Sequence, residues 1–451
     1  MKTESDPERL EPVMLGGGLA SVEEWLRHPI DFMEKVGRTH PYMAQWRLGL
    51  QRCFALNHPD LVREVLTVRH RDFNKGVSNA KLAMILGQGL ITSDGELHDR
   101  QRPILQPGFG PRQISAYAQV MLEESTRFQD RWASEQEVNI NEEMRLLALW
   151  IICRAIFDLE VDDAFARGIG DGLTLWLEAF RKSFHPSSLS ADLLPPEISQ
   201  RLEPARKTMD EAIYELIDQR RNEGARGSDL LSTLIRGLEH PETSMSDEQL
   251  RDELMTLVLA GHETTSNGLT FAWHLLALHP DEESKLHEEL DAVLGSRPAS
   301  VDDTEALPYA KAIFLEAMRL YPPVWLIDRR ANKDTEVGGV RIPKDSIVLM
   351  PQWVLHRDPR FFEDPDAFRP ERWIREPTDK RPKYSYYPFG GGPRVCLGEP
   401  FAMAEGVLVL ASIAQNWRIR SVSDEVPELL PSIVLRPEGG MRMTLHSRRS
   451  A

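Results

Sequence analysis

The stretch YSYYPFGGGPRVCLGEPFAM, residues 384–403, holds the third and last cysteine of a 451-residue chain. Three glycines precede Cys396, with Arg394 two residues upstream and Gly398 two residues downstream. Glycine lets the main chain turn tightly and approach a ligand closely. The stretch therefore reads as a cramped pocket of backbone built round one sulfur. The other two cysteines differ. Cys53 in WRLGLQRCFALNHP and Cys153 in LALWIICRAIF lie among apolar residues and read as small buried hydrophobes. No C-x-x-C pair or cysteine–histidine cluster occurs, so zinc and iron–sulfur sites lack support, and an odd count argues against a disulfide framework.

Composition narrows the class. Apolar residues make up 41% and charged residues 27%, ordinary values for a globular protein. The formal net charge of −16 disfavours nucleic acid or anionic lipid as a general partner. The start, MKTESDPERLEPVMLGGGLAS, lacks the apolar run of a signal peptide or anchor, and no later stretch reaches a membrane-spanning length. The expectation is a cytoplasmic protein without a membrane anchor.

Organisation follows from periodicity. Residues 43–56 alternate and break near Gly49, which predicts a hairpin, and HPDLVREVL opens a short helix. From about 110 to 280 apolar residues recur every three or four positions, predicting helices. HPSSLSADLLPPEIS (185–199) interrupts them with a proline- and serine-rich loop of the kind that forms lids. Further helices are expected at 248–279, 281–295, 308–320 and from Pro400. Short strands are expected in TEVGGVRIP and SIVLMP, a proline-rich meander at 357–388, and a hairpin at 429–446. The fold class is mainly α with small β-sheets. A single domain is expected over 25–451, preceded by a partly flexible extension at 1–24.

The segment LMTLVLAGHETTSNGLTFAWHLLAL (254–278) has apolar flanks and a polar middle, from Gly261 to Gly268. Unpartnered buried polar groups cost roughly 1–3 kcal/mol each. Two readings stand: two helices joined by a polar turn, or one helix adapted to a ligand. In the second, Ala260 and Gly261 leave space at the backbone. Thr264, one turn on, presents a hydroxyl there and can bond back to the carbonyl four residues earlier. Glu263 adjoins it as a proton source.

Cations are scattered along the chain. His98 and Arg102 lie at i, i+4 in DGELHDRQRPILQPGF, either on a solvated basic face or toward a ligand. Arg329, His356 and Arg394 add to them, and a ligand bearing carboxylates would give all five one purpose. Glu316 and Arg319, at i, i+3, can pair on one helix face. Arg372 in FRPERW can share the same carboxylate.

Together these motifs resemble the cytochrome P-450 family of haem-thiolate monooxygenases. Phe389-x-x-Gly392-x-Arg394-x-Cys396-x-Gly398 is similar to its haem-binding motif, and Ala260-Gly261-His262-Glu263-Thr264-Thr265 to its oxygen-activation motif. Glu316-x-x-Arg319 with Pro370-Glu371-Arg372-Trp373 resembles its structural triad. The likeness spans about residues 25–445. It implies a helix-rich prism around a buried haem b, with Cys396 as the thiolate ligand of the iron and Phe389 over the sulfur. His98, Arg102, Arg329, His356 and Arg394 would hold the two propionates. Between Arg329 and Arg330 the family pattern favours the first. Ala260 and Gly261 would flank the oxygen site, with Thr264 and Glu263 delivering protons. Trp373 stands where the family usually has Phe, a change expected to alter packing alone.

By the same resemblance Thr256, Leu259, Val324, Leu326, Ile433 and Val434 line the substrate pocket, with Trp176 and Phe180 as candidate lid residues. That apolar lining favours a lipophilic small molecule of terpenoid, fatty acyl, steroid or polyketide type. O2 would be the co-substrate. Electrons from NAD(P)H would arrive through a ferredoxin and its reductase, or a flavodoxin, steered by Arg372, Arg394, Lys383 and the 100–112 region. A monomer is expected. A haem-thiolate peroxygenase or isomerase, and a haem-based sensor or carrier, are the alternatives. The acid–threonine pair argues against the first, and the absence of a recognisable signalling module against the second.

Overall fold

Residues Asp247–Leu278 form one unbroken helix in the computed structural model, which describes residues 13–14, 19–159, 172, 175, 196–227, 229–237, 245–375, 381–423 and 427–448. The reading as two helices joined by a turn is therefore set aside. Ser246 caps the helix by accepting from the Gln249 amide at 3.1 Å, and Asp247 and Glu248 complement its first turn. Its polar middle is satisfied from within and from the side. Thr264 Oγ1 donates to the Ala260 carbonyl (2.7 Å), Asn267 to that of Glu263 (2.6 Å) and Thr270 to that of Ser266 (2.7 Å). Asn141, on the neighbouring helix Ile140–Phe157, donates to Asn267 and Thr270. Thr264, Asn267 and Thr270 thus have their bonds made, while the buried His262 Nδ1, Glu263 Oε2 and Thr265 Oγ1 have no hydrogen-bond partner among the described residues.

This central helix runs through a mainly helical body. The helices Ile140–Phe157, Pro308–Leu320 and Glu399–Asn416 pack along it. Small residues set the closeness of that packing. A side chain at Gly261 would meet Ile152 at 2.5 Å, and Phe314 fills a notch left by Gly268 and Gly406. Gly261 therefore accommodates a neighbouring helix as well as bordering the cavity.

A six-stranded sheet flanks the helices. Its order is Val13–Met14, Met43–Leu48, Gln51–Leu56, Ile347–Met350, Ile327–Ala331 and Phe73–Lys75. Val13 and Met14 pair in parallel with Ala44 and Gln45, so the sheet begins ahead of residue 25. The hairpin expected at 43–56 is present in register, from Met43 opposite Leu56 to Leu48 opposite Gln51. The C-terminal hairpin is shorter than expected. Leu429–Pro431 pairs with Leu435–Pro437, whereas Arg442–Ser447 leaves to join Trp417–Ser421 and Glu137–Asn139. Gly439 and Gly440, both at positive φ, allow the chain to change sheets between them. Trp176, Phe180 and most of the loop at 185–199 lie outside the described residues.

Glu316 and Arg319 lie on the helix Pro308–Leu320, and Arg372 opens the short helix Arg372–Arg375. Glu316 accepts from Arg319 Nε and Nη2 (2.9 and 2.8 Å), Arg372 Nε (2.9 Å), the Arg369 amide (3.0 Å) and Trp373 Nε1 (2.8 Å). Burial alone would raise this carboxyl, but the two guanidinium groups hold it below the usual range. Trp373 does more than alter packing: its indole N–H completes the shell round the carboxylate, while its ring packs on Tyr386 (4.5 Å between centroids).

Arg319→Ala strands a buried carboxylate and should cost about 3–5 kcal/mol, a large share of a typical domain's stability. Trp373→Phe keeps the ring and loses one donor, at a cost of about 1–3 kcal/mol. Thermal unfolding followed by circular dichroism should rank the variants in that order. A Trp373→Phe protein as stable as the parent would show that the indole bond contributes nothing.

Candidate active site

Cys396 lies in a turn held by its own main chain. Its amide donates to the Phe389 carbonyl at 2.9 Å, and Gly390 and Gly392 sit at φ of 73° and 69°. A side chain at Gly392 would come within 1.8 Å of the Leu66 carbonyl oxygen, so only glycine fits there. The helix Glu399–Asn416 starts just beyond, with Pro400 in its first turn. The Cys396 side chain is exposed toward the cavity, and the surrounding protein still pushes its thiol up by desolvation, while the amides of Gly398 and Glu399 and the Arg102 guanidinium pull it the other way. A sulfur at a helix N-terminus beside an arginine can be held as thiolate once a cation binds it.

The sulfur opens into a cavity of about 900 Å³. That volume lies at the upper end of single-ligand pockets, with room for a flat macrocycle and a compact organic molecule. The central helix forms one wall through Thr256, Leu259, Ala260, Gly261 and Thr264. Val324, Leu326, Ile433 and Val434 close another side, and Phe389, Cys396 and Gly398 form the floor. All six residues expected to line a substrate pocket are on this surface.

One rim of the cavity is cationic. His98 and Arg102 reach it from the helix Gly95–Leu105 and Arg329 from the strand Ile327–Ala331, with Arg394 alongside. Strand alternation sends Arg330 the other way, to Asp345 at 3.3 Å. Lys75, which the sequence reading missed, joins them because its strand places it directly opposite Arg329. Two cations facing each other across a strand pair repel. Burial and the neighbouring Arg329 and Arg394 push the Lys75 ammonium down to about 7 despite Asp94. Burial and Arg394 push Arg329 down to about 10. Arg394 is tied to Asp94 (2.6 Å) and to the carbonyls of His70 and Phe73, and Arg102 has no side-chain partner among the described residues. His98 is pushed down to about 4 by burial and these cations, so it serves as a neutral donor. The set is short of anions, and a planar group carrying two carboxylates beside a sulfur ligand fits it. Haem is such a group.

His356 is not part of this rim. It is fully buried away from the cavity, where its Nε2 accepts the Tyr387 amide at 3.0 Å and its carbonyl accepts Arg319 at 2.9 Å. Burial and Arg319 hold it neutral. Its place between the Glu316 cluster and the Cys396 turn is structural. Arg372, expected to present charge to a redox partner, is 1% exposed and spent on Glu316.

Glu263 turns from the cavity toward the helix Ile140–Phe157, where Arg145 Nε donates to it at 3.1 Å. Burial opposes its ionisation, but His262, Arg145 and Arg436 hold it below the usual range. Further up the helix, Asp252 and Glu253 moor the cavity-lining segment 87–92. Asp252 accepts the Gln88 amide (2.6 Å) and Glu253 the Leu90 amide (2.8 Å). Lys75 donates to the Leu90 carbonyl and Asn79 to that of Ile91.

The family model for cytochrome P-450 matches residues 7–444. Among curated relatives, cyclooctatin synthase of Streptomyces melanosporofaciens is 38% identical over 93% of this chain and 90% of its own. Cyclooctat-9-en-7-ol 5-monooxygenase of the same organism is 33% identical over 88% and 86%, and pentalenene oxygenase of Streptomyces avermitilis 30% over 88% of each. Among solved structures, the haem domain of a cytochrome P-450DA mutant superposes with a TM-score of 0.86, at 27% identity and 98% coverage of both chains. No helix among the described residues is long and apolar enough to cross a membrane.

Burial raises Glu253 to about 7. A carboxyl raised on folding contributes stability below its unfolded value, near 4.5, and loses it as pH climbs through about 7. Glu253→Gln should therefore gain stability relative to the parent between pH 5 and pH 8, by up to about 3 kcal/mol. Urea unfolding at both pH values checks this; an unchanged difference would place Glu253 in ordinary solvent.

Proposed function

The chain belongs to the cytochrome P-450 family, and we propose that this monooxygenase oxidises a terpenoid at a C–H or C=C bond. The observation that carries the reading is one continuous cavity. It has Cys396 on its floor, Thr264 on the facing helix, a cationic rim and an otherwise apolar lining. Two relatives, an oxygenase of pentalenene and a monooxygenase of cyclooctat-9-en-7-ol, support the terpenoid class.

Bound haem supplies oxygen activation and electron storage, chemistry that no side chain provides. The chain does the rest. Cys396, held at a helix N-terminus, would be the ligand sulfur, with its charge tuned by the Gly398 and Glu399 amides. Arg102, Arg329, Arg394 and Lys75, with His98 as a neutral donor, would bind the two carboxylates. Leu259, Val324, Leu326, Ile433 and Val434 hold an apolar substrate and exclude water.

Thr264 is the proton-handling group at the reacting end. Its O–H is engaged by the Ala260 carbonyl, which fixes the rotamer and leaves the oxygen lone pairs free to accept a bond from the cavity. Glu263 adjoins it on the helix, held by Arg145 as a carboxylate that would relay protons from solvent to Thr264. Two electrons per turnover come from NAD(P)H through separate ferredoxin and reductase proteins.

Thr264→Ala tests the assignment. Haem content and the carbon monoxide difference spectrum should be unchanged, since alanine favours the helix and Cys396 is untouched. NADH consumption with surrogate ferredoxin and reductase should continue, while product per NADH falls at least severalfold and hydrogen peroxide rises. Unchanged coupling would reduce Thr264 to a structural hydroxyl. Cys396→Ser should lose the thiolate-type carbon monoxide spectrum altogether.

A further inference from the structure

Among the described residues that line the cavity, Asp328 alone carries a carboxyl group. It lies on the rim strand Ile327–Ala331, one position beyond the last pair which that strand makes with Phe73–Lys75, Arg329 opposite Lys75. There its carboxylate tucks against the start of the helix Val77–Leu86. Oδ2 accepts the Ser78 amide at 3.3 Å, and a β-carbon on Gly76 would lie 1.8 Å from that oxygen. Oδ1 has no hydrogen-bond partner among the described residues. It is not shut in, because Asp328 stays partly exposed where it borders the cavity. Burial raises the carboxyl, against the opposing pull of the Ser78 donors and the Arg329 guanidinium.

Two neighbours extend this corner. Ser78 and Asn79, consecutive on the first turn of the helix Val77–Leu86, both border the cavity. Asn79 donates from its amide nitrogen to the Ile91 carbonyl at 2.6 Å, which fixes the amide and leaves its Oδ1 unpartnered among the described residues. The remaining hydroxyls of the lining are committed or closed off. Thr264 and Ser432 donate to the carbonyls of Ala260 and Val434, and the oxygens of Thr256 and Thr265 are buried out of reach.

We propose that Asp328, with Ser78 and Asn79, binds a hydroxyl group of the substrate, which makes this enzyme selective for a neutral terpenoid alcohol. The proposal rests on the terpenoid monooxygenase reading above and names the substrate class within it. Charge separates the candidate groups. A substrate carboxylate would face the carboxylate of Asp328. A substrate ammonium would enter a rim where burial and mutual repulsion already lower Lys75 and Arg329. A hydroxyl meets neither obstacle, since it donates to Asp328 or Asn79 and accepts from Ser78. Protonated or not, the carboxyl keeps an oxygen that accepts. The reaction places one oxygen atom of O2 in a C–H bond of that alcohol and releases the other as water, consuming two electrons and two protons, so the product is a diol. A preceding step must install the first hydroxyl, either a cyclisation terminated by water or an earlier hydroxylation.

The test is spectral-shift titration of the haem-loaded enzyme with two diterpene sets. Abietadiene, abietadienol and abietic acid share one skeleton and carry a methyl, hydroxymethyl or carboxyl group; cembrene and cembrenol differ by a hydroxyl. At least one alcohol should bind about tenfold more tightly than its hydrocarbon, and abietic acid no more tightly than abietadiene. Asp328→Leu should remove the alcohol preference, with the hydrocarbon Kd changed less than about twofold and the carbon monoxide spectrum retained. Asp328→Asn, which keeps a hydrogen-bonding group of the same shape, should retain the alcohol preference and bind abietic acid more tightly than the parent does. Should Asp328→Leu fail to load haem, the Asp328→Asn result decides, and an unchanged affinity for the acid overturns the anchor. The anchor also falls, with the terpenoid reading left standing, if the parent binds alcohol and hydrocarbon equally or the preference survives in Asp328→Leu. Loss of alcohol and hydrocarbon binding together in that variant overturns it too, and makes Asp328 a support for the helix Val77–Leu86. A parent enzyme that shifts with none of the five compounds overturns both readings.

Discussion

Glu316 is the point from which the active site is surveyed. Five donors from two segments, the helix Pro308–Leu320 and residues 369–373, converge on one buried carboxylate. Such a cluster is stable only when complete, because removing any charged partner leaves an uncompensated ion in a low-dielectric interior. Its consequences run outward through named contacts. Arg319 also grips the His356 carbonyl, His356 accepts the Tyr387 amide, and the Tyr387 carbonyl takes the amides of Gly390 and the Gln352 side chain. Two residues later the Phe389 carbonyl takes the amide of Cys396. The sulfur is thus positioned by a relay of directional bonds that begins on a different helix.

The cavity that receives the sulfur divides its physics by region. Its cations share one rim, where burial and mutual repulsion make the Lys75 ammonium and the Arg329 guanidinium harder to keep charged. An anion arriving there gains from all of them together and relieves their repulsion. The opposite walls are apolar and contribute area rather than direction. The central helix adds Thr256, Thr264 and Thr265 to them, and of these Thr264 is engaged with its own backbone.

Much of this was legible in the sequence, and the failures share a cause. Cys396, Arg394 and the glycines are contiguous, so local chemistry announced the pocket. Thr264 showed itself as a polar fault in an apolar helix, and Glu316 with Arg319 by helical spacing. Lys75 was invisible because nothing in FNKG marks it; it matters through a strand pairing across more than 250 residues, with Arg329. His356 was misplaced because a histidine beside an arginine suggests a charged site, whereas burial beside Arg319 makes it a neutral acceptor. Trp373 was undervalued because a ring was weighed as volume and its N–H was not. At the C-terminus, alternation in 429–446 predicted strands correctly but not that Gly439 and Gly440 would send the last one to another sheet.

The segment 87–92 is fastened to its surroundings almost entirely through its own main chain. Asp252, Glu253, Lys75, Asn79 and the side chains of Gln101 and Gln249 all hold backbone amides or carbonyls of that segment. Leu90 and Ile91 border the cavity and pack against the core, but the hydrogen bonds that hold the segment do not pass through their side chains. Natural selection can exchange them for larger, smaller or more polar residues and reshape the chamber without loosening its frame. A wall of interchangeable side chains on a fixed backbone lets one scaffold diversify over many hydrocarbon skeletons, each new preference reached by a single substitution.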